Sequence, residues 1–92
     1  MSGHALEKLG IRFPIIQAPM SGTSTPALAA AVSNAGGMGS IGLAACDVDQ
    51  ARDAIRQTRA LTSAPFNVNF FCRATAQPDA AIESAWLRYL TP

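Results

Sequence analysis

Three short apolar runs, each followed by a helix, most constrain what this chain can fold into. The runs lie at residues 15–17, 38–42 and 66–71, and the predicted helices lie at 26–34, 48–60 and 79–90. Continuously apolar strands without hairpin turn signals between them favour a parallel sheet with helical crossovers. The repeated order of strand and helix therefore predicts an α/β fold. The segment before the first run is expected to be a short helix or an arm.

Each predicted helix begins with a capping residue. Thr25 stands directly before Pro26, and a hydroxyl cap with proline at the first helical position is typical of a helix start. Asp47 and Gln50 have the spacing of a capping box. Asp79 opens the third helix. These local signals predict where the three helices start.

All three helices carry an apolar stripe. In the first helix the stripe contains Leu28, Ala31, Val32 and Ala35. In the second helix the stripe contains Val48, Ala51, Ile55 and Thr58. The charged residues on its other side are expected to face solvent, and they are Asp49, Arg52, Asp53, Arg56 and Arg59. In the third helix the stripe contains Ile82, Ala85, Trp86 and Tyr89. Aromatic residues at this spacing are typical of packing and not of a cofactor site.

The glycines at 37, 39 and 42 match the G-x-G-x-x-G spacing of a dinucleotide-binding turn. Such a turn needs a strand before it and a helix directly after it. Here a predicted helix precedes the glycines and a predicted strand contains them. Residues 60–67 also lack the acidic residue that would hold a ribose. We therefore expect Gly36 and Gly37 to end a helix and Gly39 to let the strand pass close to a neighbour.

Composition and charge exclude several classes of protein. The chain has 92 residues, enough for one domain at most, and it is 49% hydrophobic and 14% charged, as a globular chain is. The net charge is +1 with scattered basic residues, so no nucleic-acid footprint is present. No apolar run reaches the roughly 18 residues of a membrane span. Cys46 and Cys72 follow no metal-ligand spacing, and reduced thiols in a cytoplasmic protein are expected.

Four sequence blocks occur together in an order and spacing that resembles one family. They are P-I-I-Q-A-P-M at 14–20, S-T-P at 24–26, L-A-A-A-V-S-N-A-G-G-M-G at 28–39 and P-F-N-V-N-F-F at 65–71. Any one block is a weak signal, but the combination resembles the nitronate monooxygenases, formerly called 2-nitropropane dioxygenases. The resemblance extends from about residue 9 to the last residue.

The resemblance implies a flavin-binding (β/α)8 barrel of the TIM type. Residues 1–92 would supply its first three βα units and no separate domain. The resemblance also implies non-covalently bound FMN and the oxidation of alkyl nitronates by O2 to carbonyl compounds and nitrite. A small nitronate and O2 are then the expected partners. Because such a barrel needs about 250 residues, the chain is expected to be truncated, inactive by itself and a weak binder of FMN at best.

The resemblance also assigns candidate cofactor-binding residues. Asn69 resembles the FMN-contacting asparagine that ends an F-x-V-N block, and an amide offers a donor and an acceptor to the isoalloxazine edge. Ala18, Pro19 and Met20 resemble the segment beneath the flavin. Plain packing of Met20 and strand-end capping by Asn69 are the alternatives. No catalytic residue is assigned, because the family's catalytic histidine and phosphate loops lie in later strands, whereas His4 precedes the first strand.

Two other functions stay open at the level of sequence. A flavin barrel of the enoyl-acyl-carrier-protein reductase type also resembles the L-A-A-A-V-S-N-A-G-G block, but it usually differs where this chain reads Q-A-P-M-S-G-T-S-T. An inactive, non-catalytic fragment is the third candidate. Nothing in the sequence indicates the preferred nitronate or the oligomeric state.

Overall fold

The computed structural model describes residues 3–92 and has the predicted alternation of helices and strands. Its elements in chain order are α1 (Gly3–Leu9), α2 (Pro26–Asn34), β1 (Gly39–Gly42), α3 (Val48–Leu61), β2 (Phe66–Asn69) and α4 (Ala80–Leu90). None of the helices in this part of the chain is both long and apolar enough to cross a membrane.

The predicted helix caps are all confirmed. The Thr25 side chain accepts a hydrogen bond from the Leu28 N–H at 3.1 Å. Asp47 and Gln50 form a reciprocal capping box, with distances of 2.8 Å and 3.0 Å. The Asp79 carboxylate accepts from two N–H groups in the first turn of α4. Each cap satisfies backbone donors that the helix itself leaves unpaired, which is why the helices start where the sequence predicts.

The sheet consists of β1 and β2, which pair in parallel. Their register runs from Gly39 opposite Phe66 to Gly42 opposite Asn69. A small core of Ala29, Ile41 and Leu43 lies between this sheet and α2 and α3. Helices α2 and α3 therefore cover one face of the sheet, and the polar residues of β1 and β2 lie on the other face.

The predicted first strand, at residues 15–17, is reduced to a single bridge between Ile16 and Met38. The Met38 N–H donates to the Ile15 carbonyl at 3.0 Å, and the Gln17 N–H donates to the Met38 carbonyl at 2.9 Å. Pairing stops there because Pro19, two residues beyond Gln17, has no N–H to donate. The prediction was right about the position and the parallel direction of this segment but wrong about its regularity.

The glycines act as predicted. Gly36 has a φ of +105°, a left-handed conformation in which glycine is unstrained, and it follows the last turn of α2. A Cβ atom on Gly39 would overlap the backbone carbonyl of Ala29, so α2 and β1 are in contact at the backbone. The G-x-G-x-x-G spacing thus serves a helix end and a close helix–strand contact.

The charged side of α3 differs from the expectation in one residue. Arg59 donates hydrogen bonds to the carbonyls of Thr62 and Ala64, both at 3.1 Å, and its guanidinium lies 4.6 Å from the centre of the Phe66 ring. It therefore ties the end of α3 to the start of β2 instead of simply facing solvent. On the apolar side, Val48 is 71% exposed, so the predicted stripe is only partly covered.

Helix α4 differs most from the prediction. All of its residues are exposed, including its apolar stripe. Trp86 and Tyr89 contact each other edge to face, with ring centres 5.8 Å apart, but they do not pack on the sheet. The amphipathic pattern correctly predicted the helix, but nothing among residues 3–92 covers its apolar stripe.

Candidate cofactor-binding site

Three segments meet at the carboxyl end of the sheet. Gly42 and Asn69 are the last residues of β1 and β2, and they lie opposite each other in the register. The loop of residues 18–24 reaches the same place, because a Cβ atom on Gly42 would lie 3.3 Å from the Ser21 hydroxyl oxygen. In open and closed parallel α/β sheets, ligands bind at this end of the strands.

The loop of residues 18–24 is a compact turn. The Met20 carbonyl accepts from the N–H groups of Thr23 at 3.0 Å and Ser24 at 2.7 Å. The Met20 N–H in turn donates to the Ser24 hydroxyl at 2.7 Å. Gly22 has a φ of +79°, which permits this tight turn. The backbone of Met20 is therefore fixed while its side chain stays 40% exposed beside the end of β1.

The two asparagines of β2 are in different situations. The Asn67 amide donates to the Ser40 hydroxyl at 3.3 Å, so it points to the polar face of the sheet. Asn69 lies two residues further and shares that face, because side chains alternate along a strand. The half-buried Asn69 side chain has no hydrogen-bond partner among residues 3–92. Its donor and acceptor groups are thus free for a ligand at the carboxyl end.

The residues that the sequence predicted lie on two segments at the carboxyl end of the sheet, one on each side of β1. Met20 belongs to the loop next to β1, and Asn69 ends β2 on the other side of β1. Ala18 is exposed and Pro19 is half-buried in the same loop. Sequence reasoning missed Gln17, whose side chain links this loop to β1. The available signal was a polar side chain inside an otherwise apolar run.

The site fits the ring of a flavin better than its phosphate. An amide without a partner among residues 3–92 suits the polar edge of a heteroaromatic ring, and an apolar methionine on the other side of β1 suits its flat face. The N-termini of α3 and α4 are occupied by the carboxylates of Asp47 and Asp79, which take the N–H groups that a phosphate would use. Among residues 3–92, no three histidine, cysteine or acidic side chains gather as a metal site requires.

A separate groove of about 490 Å³ lies between α3 and the chain after β2. Its walls include Val48, Ile55, Phe70 and Phe71, and it shares no residue with the loop of residues 18–24 or with Asn69. Because its lining is mostly apolar and open, it has the character of an uncovered packing surface and not of a polar cofactor site.

Parallel strands that alternate with helices are the repeating unit of a (β/α)8 barrel, and this chain has the architecture of an incomplete one. Solved barrel structures agree with this class. The chain superposes on nitroalkane oxidase from Streptomyces ansochromogenes with a TM-score of 0.74 and 39% identity, covering 94% of this chain and 24% of that one. It superposes on FabK from Thermotoga maritima with a TM-score of 0.71 and 43% identity, covering 76% of this chain and 22% of FabK.

The chain belongs to the nitronate monooxygenase family, whose model matches residues 3–91. It is 63% identical over 87 residues to the nitronate monooxygenase of Paraburkholderia phytofirmans, and these residues cover 95% of this chain and 24% of that protein. It is 61% identical over 84 residues to the nitronate monooxygenase of Pseudomonas aeruginosa, and these residues cover 91% of this chain and 24% of that protein. The chain thus spans about a quarter of the length of these relatives, and the family implies a flavin cofactor.

Proposed function

We propose that this chain is the N-terminal part of an FMN-dependent nitronate monooxygenase. The reaction is the oxidation of an alkyl nitronate by O2 to a carbonyl compound and nitrite. Residues 1–92 would form one continuous part of the barrel and no separate domain. The observation that carries the proposal is the meeting of the residue 18–24 loop, Gly42 and the free Asn69 amide at the carboxyl end of the sheet, in a chain of this family.

In this proposal the chain supplies one wall of the flavin site. A bound flavin contributes the electron-transfer chemistry. Asn69 donates and accepts hydrogen bonds at the polar edge of the ring, since its amide is not used elsewhere among residues 3–92. Ala18, Pro19 and Met20 lie against the ring, with Met20 as an adaptable apolar contact. No side chain of this chain is assigned a proton-transfer step.

The rest of the barrel would supply the phosphate site and the catalytic base. The aspartate caps on α3 and α4 support the assignment of the phosphate site elsewhere, because they disfavour an anion at those two helix ends. The assignment of the catalytic base elsewhere is what the family resemblance implies. The isolated chain of 92 residues is therefore expected to be inactive and to retain little or no FMN.

The enoyl-acyl-carrier-protein reductase type of flavin barrel is the second candidate. The superposition on FabK supports it as a relative in fold. The greater coverage by nitroalkane oxidase, 94% against 76% of this chain, favours the first candidate.

A chimeric barrel tests the proposal. Residues 3–91 of this chain would replace the matching N-terminal segment of the Paraburkholderia phytofirmans enzyme, to which they are highly similar. We expect the chimera to purify with stoichiometric FMN and to consume O2 with propionate 3-nitronate. Oxidation of NADH with an enoyl thioester, without nitronate turnover, would instead support the second candidate. A folded chimera without flavin would refute the proposal.

A further inference from the structure

The side chain of Gln17 forms the two hydrogen bonds to the Ser40 backbone that a neighbouring strand would otherwise form. Its Oε1 accepts from the Ser40 N–H at 3.1 Å, and its Nε2 donates to the Ser40 carbonyl at 3.1 Å. Ser40 is fully buried, so water does not reach these two backbone groups. Because the Ser40 peptide offers one donor and one acceptor, only this orientation of the amide satisfies both.

The proline in this segment explains why a side chain is needed. Backbone pairing between the two segments continues as far as the Gln17 N–H and the Met38 carbonyl. In a regular parallel ladder, the next donor to β1 would be the N–H of residue 19, directed at the Ser40 carbonyl. Pro19 has no N–H. The Gln17 amide supplies the missing donor, so the backbone of residues 18–20 is free to leave the sheet and form a loop.

The same amide also holds that loop. One of the two N–H groups on Gln17 Nε2 donates to the Ser40 carbonyl, and the other is left for the loop, where Nε2 lies 2.9 Å from the Ser24 hydroxyl oxygen and 3.0 Å from the Ala18 carbonyl oxygen. The Ser24 hydroxyl accepts from the Met20 N–H at 2.7 Å and donates to the Ala18 carbonyl at 3.2 Å. One side chain therefore connects β1 with both ends of the turn that carries Met20.

The geometry points to Gln17 as a positioning residue for the flavin site. Its amide joins Ser40 of β1 to Ser24 of the loop, and this junction sets where Ala18, Pro19 and Met20 lie at the carboxyl end of the sheet. In this role Gln17 acts through the loop, since its amide is already bonded to Ser40 and Ser24. The consequence for flavin binding rests on the proposed function, whereas the junction between loop and strand is a property of this chain alone.

The test compares Gln17→Glu with Gln77→Glu in the chimera. Both substitutions change an amide to a carboxylate, but Gln77 is exposed and has no side-chain hydrogen bond among residues 3–92. Glutamate at position 17 keeps the acceptor for the Ser40 N–H and removes the donors. We expect the Met20 and Ser24 amides to exchange with solvent about tenfold faster or more. The flavin dissociation constant should rise by about tenfold, against less than about twofold for Gln77→Glu.

A second variant separates positioning from general destabilisation. Gln17→Met keeps the volume but removes donor and acceptor, so the Ser40 amide should lose protection in Gln17→Met and keep it in Gln17→Glu. Amides of α3 should be unaffected in both. Equal loop exchange in Gln17→Glu and Gln77→Glu would overturn the inference. Faster loop exchange with unchanged flavin affinity would overturn the positioning role. Absence of flavin from the unsubstituted chimera would refute the proposed function, while the exchange data would still decide whether Gln17 holds the loop.

Discussion

The backbone contact between α2 and β1 predicts that Gly39→Ala is strongly destabilising. A Cβ atom at this position would lie 2.6 Å from the Ala29 Cα and would overlap the Ala29 carbonyl. Carbon atoms pack at about 3.5–4.0 Å, so α2 and β1 must separate by roughly 1 Å. The overlapping atoms belong to the backbone, so no side-chain rotation relieves the contact.

The magnitude follows from what that separation disturbs. Overpacking of a closely packed interior costs about 1–3 kcal/mol. The Gly39 N–H also donates to the buried Ser33 hydroxyl at 2.9 Å, and stretching this bond costs about 1 kcal/mol more. We therefore expect the free energy of unfolding to fall by about 2–4 kcal/mol, with flavin lost in the same transition.

Urea unfolding of the chimera, followed by circular dichroism and by flavin fluorescence, measures this loss. With a typical dependence of about 2 kcal/mol per molar urea, the midpoint should fall by roughly 1–2 M. Gly3→Ala is the matched control, because it adds the same methyl group where no atom lies within 4 Å. A loss below about 1 kcal/mol for Gly39→Ala, or one equal to that of Gly3→Ala, would refute the reasoning.

Three further outcomes are expected. Asp47→Ala should lower the free energy of unfolding by about 1 kcal/mol, because it removes the capping box. Asp49→Ala should lower it by less, because the ion pair of Asp49 with an arginine is exposed. Equal losses of the two variants in urea unfolding would contradict this. Asn69→Ala should weaken flavin binding about tenfold at an unchanged free energy of unfolding, whereas Asn67→Ala should mainly lower the free energy of unfolding. A fluorescence titration in which Asn67→Ala weakens flavin binding more than Asn69→Ala does would argue against the assigned site. The isolated chain should melt broadly and bind no FMN, since its radius of gyration is 18.2 Å against about 12 Å for a compact domain of this length; a sharp two-state melt would contradict this.

The helix starts could be predicted from the sequence because each depends on a few neighbouring residues. The side chains of Thr25, Asp47 and Asp79 all cap within three positions along the chain. The position and parallel direction of β1 and β2 were also predictable from their apolar runs. Asn69 and Met20 were predicted as site residues only through the family resemblance, and their role as cofactor contacts stays a prediction.

The tertiary structure decided the features that depend on distant residues. It reduced the first predicted strand to one bridge, and at Ser40 it replaced backbone pairing with hydrogen bonds from the Gln17 side chain. It also left the apolar stripe of α4 exposed.

The sequence by itself determined the alternation of helices and strands, the caps and the glycine positions, because propensity, capping and backbone sterics act over a few residues. Only the tertiary structure decided that the residue 18–24 loop meets Gly42 and that the Asn67 amide donates to Ser40. It also left the Asn69 amide without a partner among residues 3–92. The physical reason is that hydrogen bonds and contacts between residues more than twenty positions apart depend on the paired register of the strands. A local pattern of residues does not contain that register.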